Sequence, residues 1–486
     1  MSARRRTYKD IIALDALPLS QAIKQRQVSC REVMQAYLKQ IARHNPTVNA
    51  LVSLRPEKEL LREADNYDRE LAQGQYRGWL HGIPQAPKDL AACKGLVTSM
   101  GSPLFARQIT AHDAHAIARM REAGAIFIGR TNVPEFGLGS HTYNSVFGIT
   151  ANAYNPKLSA GGSSGGAAAA LALRMLPVAD GSDMMGSLRN PAAWNNVYGL
   201  RPSHGRVPAG PAPELFLQQL GTEGPMGRTV ADVAALLRTQ AGYTPQAPLS
   251  LHKNNALNAE LERDFTGTHI GWLGDFNGYL PMEAGLLPLC EAGLDQFRAL
   301  GIEVENCQVD YAMERLWQCW LVHRHWVVAG LLSAAYTSKK NRAQLKPEAV
   351  WEIEQGLRLS AMDVWRASVE RSHWYRALLT LFERYDYLVL PSAQVFPFDK
   401  KQHWPQHIAS HPMDTYHRWM EVVIGPTLAG LPTMSVPIGL NKAGLPMGLQ
   451  LIGKPQADWA VLQLAYAHEQ KTHWVQQHLP PSLHLS

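Results

Sequence analysis

Ser163 and Ser164 lie within four glycines, Gly161-Gly162 before them and Gly165-Gly166 after, and Ser187 follows 24 residues beyond Ser163. Ser187 stands directly behind Gly186, with Asp183 upstream and Arg189 two residues on. A serine hydroxyl becomes a nucleophile once a neighbouring group takes its proton. The run Ala167–Leu173 consists of strong helix formers, so the cluster reads as a Gly-rich turn opening a helix. Free N–H groups and the positive end of the helix dipole favour negative charge at such a place. A flexible linker is the plain alternative for Gly and Ser together. A linker separates domains, however, and here the helix-forming run follows without a break.

Two familiar motifs are tested by this stretch, and neither fits. G-x-S-x-G occurs twice, centred on Ser163 and on Ser164, but a nucleophile elbow needs a strand immediately before it. The preceding Ala153-Tyr154-Asn155-Pro156-Lys157-Leu158-Ser159 is polar and broken by proline. A phosphate loop needs Lys-Ser or Lys-Thr after the glycines, and none follows.

The stretch closely resembles the amidase signature family of serine hydrolases. The G-G-S-S-G-G turn and Ala-rich helix are followed by Gly181-Ser182-Asp183-Met184-Met185-Gly186-Ser187-Leu188-Arg189-Asn190-Pro191-Ala192, close to the family's G-[ST]-D-x-x-G-S-[ILV]-R-x-P-A. Gly199-Leu200-Arg201-Pro202 and Gly205-Arg206-Val207 also look like that family, as do Gly82-Ile83-Pro84, Lys88-Asp89, Gly129-Arg130-Thr131-Asn132 and Glu135-Phe136-Gly137. The resemblance runs from about residue 20 to about 470, nearly the whole chain.

The resemblance implies an unusual catalytic set without histidine: Ser187 as nucleophile, Ser163 in a cis peptide as proton bridge, and Lys88 as base. Lysine serves as a base only where burial depresses its pKa. The apolar neighbours Gly82-Ile83-Pro84, Ala86-Pro87 and Leu90-Ala91-Ala92 suit that requirement. The resemblance further implies oxyanion donors on the backbone of Met184, Met185, Gly186 and Ser187, support from Asp183, Arg189 and Ser164, and Gly137 in the acyl pocket. One departure stands out: Met184-Met185 occupies positions where the family usually has small residues. At least one Met side chain is expected to narrow the acyl pocket.

These residues need a frame to hold them. Ser29-Cys30-Arg31-Glu32 is a capping box opening a helix that should stop at Asn45-Pro46, and a second helix opens at Pro56. From Leu80 onward, short apolar runs at 125–128, 197–200, 269–273, 302–304, 387–390, 433–436 and 448–452 alternate with helical patterns at 113–123, after Gly166, at 230–237 and at 362–383. That alternation argues for α/β layers. With the resemblance it implies one large domain over 1–486, a mixed, mostly parallel sheet between helical layers. An N-terminal helical layer is expected at about 8–75, a signature core at about 80–240 and a helical cover at about 310–384. Trp317, Trp320 and Trp326 mark an aromatic helix expected to face the core. His403, His407, His411 and His417 are split by Pro405 and Pro412, so a surface loop is expected there rather than a metal site.

Composition bounds the rest. The 486 residues are 46% apolar and 18% charged, as in globular proteins with a sizeable core. The five cysteines share no C-x-x-C spacing, which argues against a disulfide framework. The 47 basic and 41 acidic side chains show no clustered basic stripe beyond Arg4-Arg5-Arg6, so nucleic acid is not an expected partner. No apolar run of membrane-spanning length and no secretory pattern is found, which makes the cytoplasm the expected location. The expected function is hydrolysis of a small carboxamide to carboxylate and ammonia or amine, without cofactor or metal; a homodimer is an assembly this leaves open. The alternative is the glutaminase-like subunit of a tRNA-dependent amidotransferase, although its helical signature is not recognised around 330–375. A non-catalytic binding relative would be at odds with three intact catalytic positions.

Overall fold

The capping box at Ser29 starts helix α1 (Cys30–Val48): Glu32 N–H donates to Ser29 Oγ at 3.0 Å, and Ser29 N–H donates to Glu32 Oε2 at 3.0 Å. In this computed structural model, which describes residues 7–484 apart from 254, α1 does not stop at Asn45-Pro46 as the sequence suggests. Pro46 sits inside the last turn, and the helix ends at Asn49 in the left-handed region (φ 50°). The Asn45 side chain makes this possible by accepting from Ala50 N–H and Leu51 N–H at 2.9 and 2.8 Å, which folds the chain back over the proline. Helix α2 (Glu57–Ala72) buries Leu60, Ala64, Tyr67 and Leu71 of the apolar stripe that its period suggests, while Leu61, the fifth residue of that stripe, is half-buried at its edge. The basic Arg4-Arg5-Arg6 lies outside the described residues.

Helix α3 (Gly165–Ala172) is buried on every side, which explains its uniform Ala/Leu composition. Gly166 is required there by close approach: a Cβ would meet Asn132 N at 2.4 Å and Ala50 O at 2.6 Å. The chain then enters the main sheet, whose strands are β1 (Val178–Asp183), β2 (Tyr198–Arg201), β3 (Thr222–Gly227), β4 (His269–Trp272), β5 (Glu303–Asn306), β6 (Tyr387–Pro391), β7 (Thr433–Leu440) and β8 (Pro446–Gly453). Their order across the sheet is β5-β4-β6-β8-β7-β2-β3-β1.

The fold is a single-domain α/β arrangement with a large mixed sheet flanked by helices, as expected, but the sheet is not mostly parallel. Only β4–β5 and β4–β6 pair in parallel, while the other five neighbours are antiparallel. Parallel neighbours need a long crossover. Helix α4 (Leu286–Arg298) supplies one between β4 and β5, whereas β7 and β8 are joined by a turn at 441–445. Two strands, β1 and β3, escape the search for apolar runs. Their sequences, VADGSD and TEGPMG, are polar, Gly-rich or broken by Pro225. Pro225 is tolerated because β2 pairs only with Met226 and Gly227 on that side.

Three helices follow β5: α5 (Met313–Thr337), α6 (Pro347–Gly356) and α7 (Ala361–Arg384). Trp317 and Trp320 of α5 are fully buried in the apolar core, as their spacing suggests, and Trp326 is half-buried. No helix among the described residues is long and apolar enough to cross a membrane.

Candidate active site

Strand β1 organises the site through its period of two. Asp180 and Ser182 point to one side, where Asp180 Oδ2 accepts from Lys88 N–H at 3.1 Å and Ser182 lies against the Lys88 ammonium group. Asp183 points to the other side and meets Arg189.

Lys88 is 1% exposed, and its Nζ is surrounded by oxygens: Ser163 Oγ at 2.8 Å, Ser164 Oγ at 2.8 Å, Ser182 Oγ at 3.0 Å and the Ser182 carbonyl at 3.2 Å. Burial brings its pKa down from 10.5 to about 7, with Asp183, Asp180 and Glu223 pulling the other way. The backbone around it is held by Arg130, whose Nη2 donates to the Lys88 carbonyl at 2.8 Å. The Gly162–Ser163 peptide is cis. Ser164, expected only to support Ser163, thus touches Lys88 directly. Its N–H also donates to the Ser187 carbonyl at 3.3 Å, joining the Gly-rich turn to the Ser187 loop.

Ser187 lies at the end of the loop that leaves β1. The Asp183 carboxylate ties this loop down, accepting from Gly186 N–H at 2.9 Å, Leu188 N–H at 3.1 Å, and Arg189 Nε and Nη2 at 3.0 and 2.9 Å. Burial alone would raise the pKa of Asp183, but Arg189 and Arg201 hold it well below the usual carboxylate range. Arg189 in turn donates to Gln450 Oε1 of β8 at 2.6 Å and to Thr427 Oγ1 at 2.9 Å. Gly186 adopts φ +77°, the conformation the turn needs, and neither Met184 nor Met185 has a positive φ. The two Met residues are therefore compatible with the loop's backbone. Gly186, grouped with the oxyanion donors on the strength of the resemblance, gives its N–H to Asp183 instead. Among the described residues, the N–H groups of Met184, Met185 and Ser187 donate to no protein acceptor.

Ser163, Ser182, Ser187, Met184, Met185 and Gly137 all line one cavity of about 330 Å³. Gly137 approaches Ser163 closely, since a Cβ on it would lie 3.4 Å from Ser163 Oγ. Leu90, Met100, Phe136 and Leu138 complete much of the wall, with Val328, Leu331 and Leu332 of α5. Met185 is 4% exposed and Met184 half-buried, and both pack against the main core. Ser187 Oγ makes no hydrogen bond with another described residue, so it and Ser163 face the same space without being joined.

Three cavity residues escape the sequence reading. Ser182 is part of the Gly-Ser-Asp segment, and the alternation of β1 places it opposite Asp183, but the strand's polar composition hides that alternation. Arg324 belongs to the aromatic helix and is masked by its tryptophans. His417 belongs to the histidine group expected on a surface loop. The structure corrects this: His403, His407 and His411 are exposed, but His417 is 1% exposed and lines the cavity, because Tyr416 and Trp419 carry that segment into the core. Among the described residues, no group of three or more His, Cys, Asp or Glu is placed to hold a metal ion.

Comparison with known proteins shows the family of the chain. The amidase family model matches residues 32–462. The chain is 31% identical over 490 residues to the A subunit of the glutamyl-tRNA(Gln) amidotransferase of Thermosynechococcus vestitus, covering 94% of this chain and 98% of that one. It is 30% identical over 488 residues to an acylamidase of Rhodococcus erythropolis, covering 98% and 99%. Among solved structures, a bacterial aryl acylamidase of the amidase signature enzymes superimposes with a TM-score of 0.88 at 28% identity, covering 98% of both chains. The peptide amidase of Stenotrophomonas maltophilia does so with a TM-score of 0.76 at 28% identity, covering 95% and 97%. The chain belongs to the amidase signature family, whose enzymes hydrolyse carbon–nitrogen amide bonds.

Proposed function

We propose that this protein hydrolyses a small, largely apolar carboxamide through an acyl-enzyme on Ser187, with Ser163 and Lys88 as the proton relay. The observation that carries the reading is the buried Lys88 Nζ, 2.8 Å from Ser163 Oγ on the wall of the cavity that also holds Ser187. Neutral Lys88 takes the Ser163 proton as Ser163 takes that of Ser187, and Ser187 Oγ attacks the carbonyl carbon. The oxyanion receives hydrogen bonds from the amides of Met184, Met185 and Ser187, which are oriented in advance by Asp183. The C–N bond then breaks as Ser163 returns a proton to the departing nitrogen, drawing on Lys88. Water, activated by the same relay, releases the carboxylate. A side-chain rotation at Ser187 or Ser163 on substrate binding closes the link between their hydroxyls, as happens at many sites only in the complex.

A glutaminase-type subunit of an amidotransferase is the second reading, favoured by the identity to the amidotransferase relative over nearly the whole chain. The cavity lining argues for the first. The ammonium of glutamine would lack a free partner, since Asp183, the only carboxylate lining the cavity among the described residues, is already bound by Arg189, and the carboxylate of glutamine would meet only Arg324, already paired with Glu352. The test is ammonia or amine release across a panel of carboxamides, with Ser187→Ala and a serine-directed phosphonate as controls. Turnover and labelling are expected in the natural enzyme and lost in Ser187→Ala. Full labelling of that variant would remove Ser187 as nucleophile. Stoichiometric co-purification of partner subunits, with glutamine as the sole substrate, would replace the first reading by the second.

A further inference from the structure

The cavity has a polar corner that the relay does not use. Arg324 of α5 is 3% exposed and lines it beside Met184. Two parts of its guanidinium are committed: Nε donates to Glu352 Oε1 at 2.5 Å, and Nη2 donates to Tyr416 Oη at 2.5 Å. Tyr416 Oη donates onward to the same Glu352 oxygen at 2.7 Å, so the group is held rigidly from behind. The third nitrogen, Nη1, reaches only a thioether, Met184 Sδ at 3.8 Å. A sulfur at that distance is a weak acceptor.

His417 is the second, independent observation. It is 1% exposed, lines the same cavity, and neither ring nitrogen has a protein partner among the described residues. Its ring packs against Tyr416 at 4.6 Å and Trp317 at 5.3 Å between centroids, which fixes its position. Buried polar groups of this kind are normally hydrogen-bonded.

Resting on the amidase reading, we propose that Arg324 Nη1 and the His417 ring form an acceptor-binding subsite that selects substrates carrying a second, neutral carbonyl oxygen apart from the scissile one. Neutrality follows from charge balance. Glu352 pairs with Arg324 through Oε1 and with His325 Nδ1 at 2.6 Å through Oε2, so the guanidinium charge is already offset and a carboxylate would add negative charge in a buried place. Apart from this corner, the serines and Asp183, the lining is apolar, which suits a hydrocarbon segment between the two carbonyls.

The experiment uses matched pairs: ω-keto carboxamides against alkyl carboxamides of the same length, p-acetyl against p-ethyl anilides, and an ω-carboxylate analogue. The two ketone series place the extra carbonyl on the acyl side or the amine side. In the natural enzyme, one ketone member is expected to exceed its alkyl partner by about tenfold or more in kcat/KM, and to exceed the carboxylate. His417→Phe, which breaks no protein hydrogen bond, and Arg324→Met/Glu352→Met, which removes both buried charges together, should each bring that ratio towards one, whatever the absolute rate. Binding of the same pairs to Ser187→Ala, measured calorimetrically, reads the preference without turnover. A preference in binding alongside no amide turnover would leave the subsite standing and remove the amidase reading. Equal treatment of ketone and alkyl members in both series, preference for the carboxylate, or a ratio that survives both variants would overturn the subsite.

Discussion

At the scale of single residues, Lys88 carries opposite consequences for rate and for stability. In the proposed relay it must be neutral, so kcat/KM should fall as pH drops below about 7 and level off above it. Lys88→Met should lose about 10³-fold or more in kcat. If Lys88→Met stays active while His417→Phe is dead, a histidine base is at work and the relay is wrong. The same lysine is a burden on the fold. Unfolded, it holds its proton up to 10.5, but folded only up to about 7, so its penalty on the folded state is full below about 7 and fades towards 10.5. Lys88→Met should therefore be more stable than the natural protein at pH 6.5, by about a few kcal/mol of unfolding free energy and with a higher melting temperature, and the gain should shrink as pH rises towards 10. A melting temperature that drops equally at both pH values would show that the contacts of Nζ, not its desolvation, dominate. Met185 is also placed for a direct test. It is buried on the cavity wall with an ordinary backbone conformation, so Met185→Gly should widen the acyl pocket while leaving small amides within about tenfold, or about 1.4 kcal/mol. The check is kcat/KM over a graded acyl series. An unchanged size profile would place the side chain outside the acyl path.

At the scale of elements, the loop after β1 is a turn held by one carboxylate. Asp183 accepts two loop amides and a bidentate pair from Arg189, and Arg189 extends the hold to β8 through Gln450. Asp183→Asn keeps the shape but leaves Arg189 and Arg201 buried without their counter-charge. Breaking such a pair costs about 3–5 kcal/mol. The variant should melt markedly lower and, where still folded, lose kcat more than it raises KM, because the amides proposed to receive the oxyanion lose their fixed aim. Thermal melts and steady-state kinetics with a small amide check this. A variant with normal kcat would mean that Gly186 and its neighbours hold their positions without the carboxylate.

At the scale of the whole molecule, many titratable groups are buried, and their contributions share a sign only in acid. Burial lowers His141, His204 and His323 to about 4 and His468 to about 3. The unfolded chain protonates these groups first, so their contribution falls as pH drops below about 6.5. Burial raises Glu223 and Glu469 to about 8 and Glu421 to about 7, and these contribute the other way, gaining as pH falls until about 4.5. Asp183 and Glu352 are both held below their usual range, with burial outweighed by Arg189 and by Arg324 respectively, and their contribution disappears below about 4. The expected profile is shallow from pH 6.5 to 4.5 and steep below it. Chemical denaturation across that range tests it, and a steep loss already at pH 6 would mean that the histidines outweigh the buried glutamates.

The sequence by itself determined what depends on local chemistry. The capping box at Ser29 and the Ala-rich helix opened by glycines could be read from residue types in order, because caps and propensities act over a few neighbours; Ser163, Ser187 and Lys88 are marked only by their resemblance to the amidase signature, since taken alone Lys88 reads as a surface lysine beside an aspartate. The sequence also indicated an α/β frame, because apolar runs at β2, β4, β6, β7 and β8 are buried strands. Tertiary structure decided the rest. The strand that carries Ser182 and Asp183 is polar, since its side chains serve Lys88 on one side and Arg189 on the other; no apolar period marks it. The sheet's strand directions depend on which strands meet, and two of those meetings join residues more than 100 positions apart, such as Met434 with Leu200. Arg324 and His417, 93 positions apart in sequence, become neighbours of the serines only when α5 and the segment at Tyr416 close over the cavity. Long-range packing sets that closure, and no local pattern in the chain encodes it.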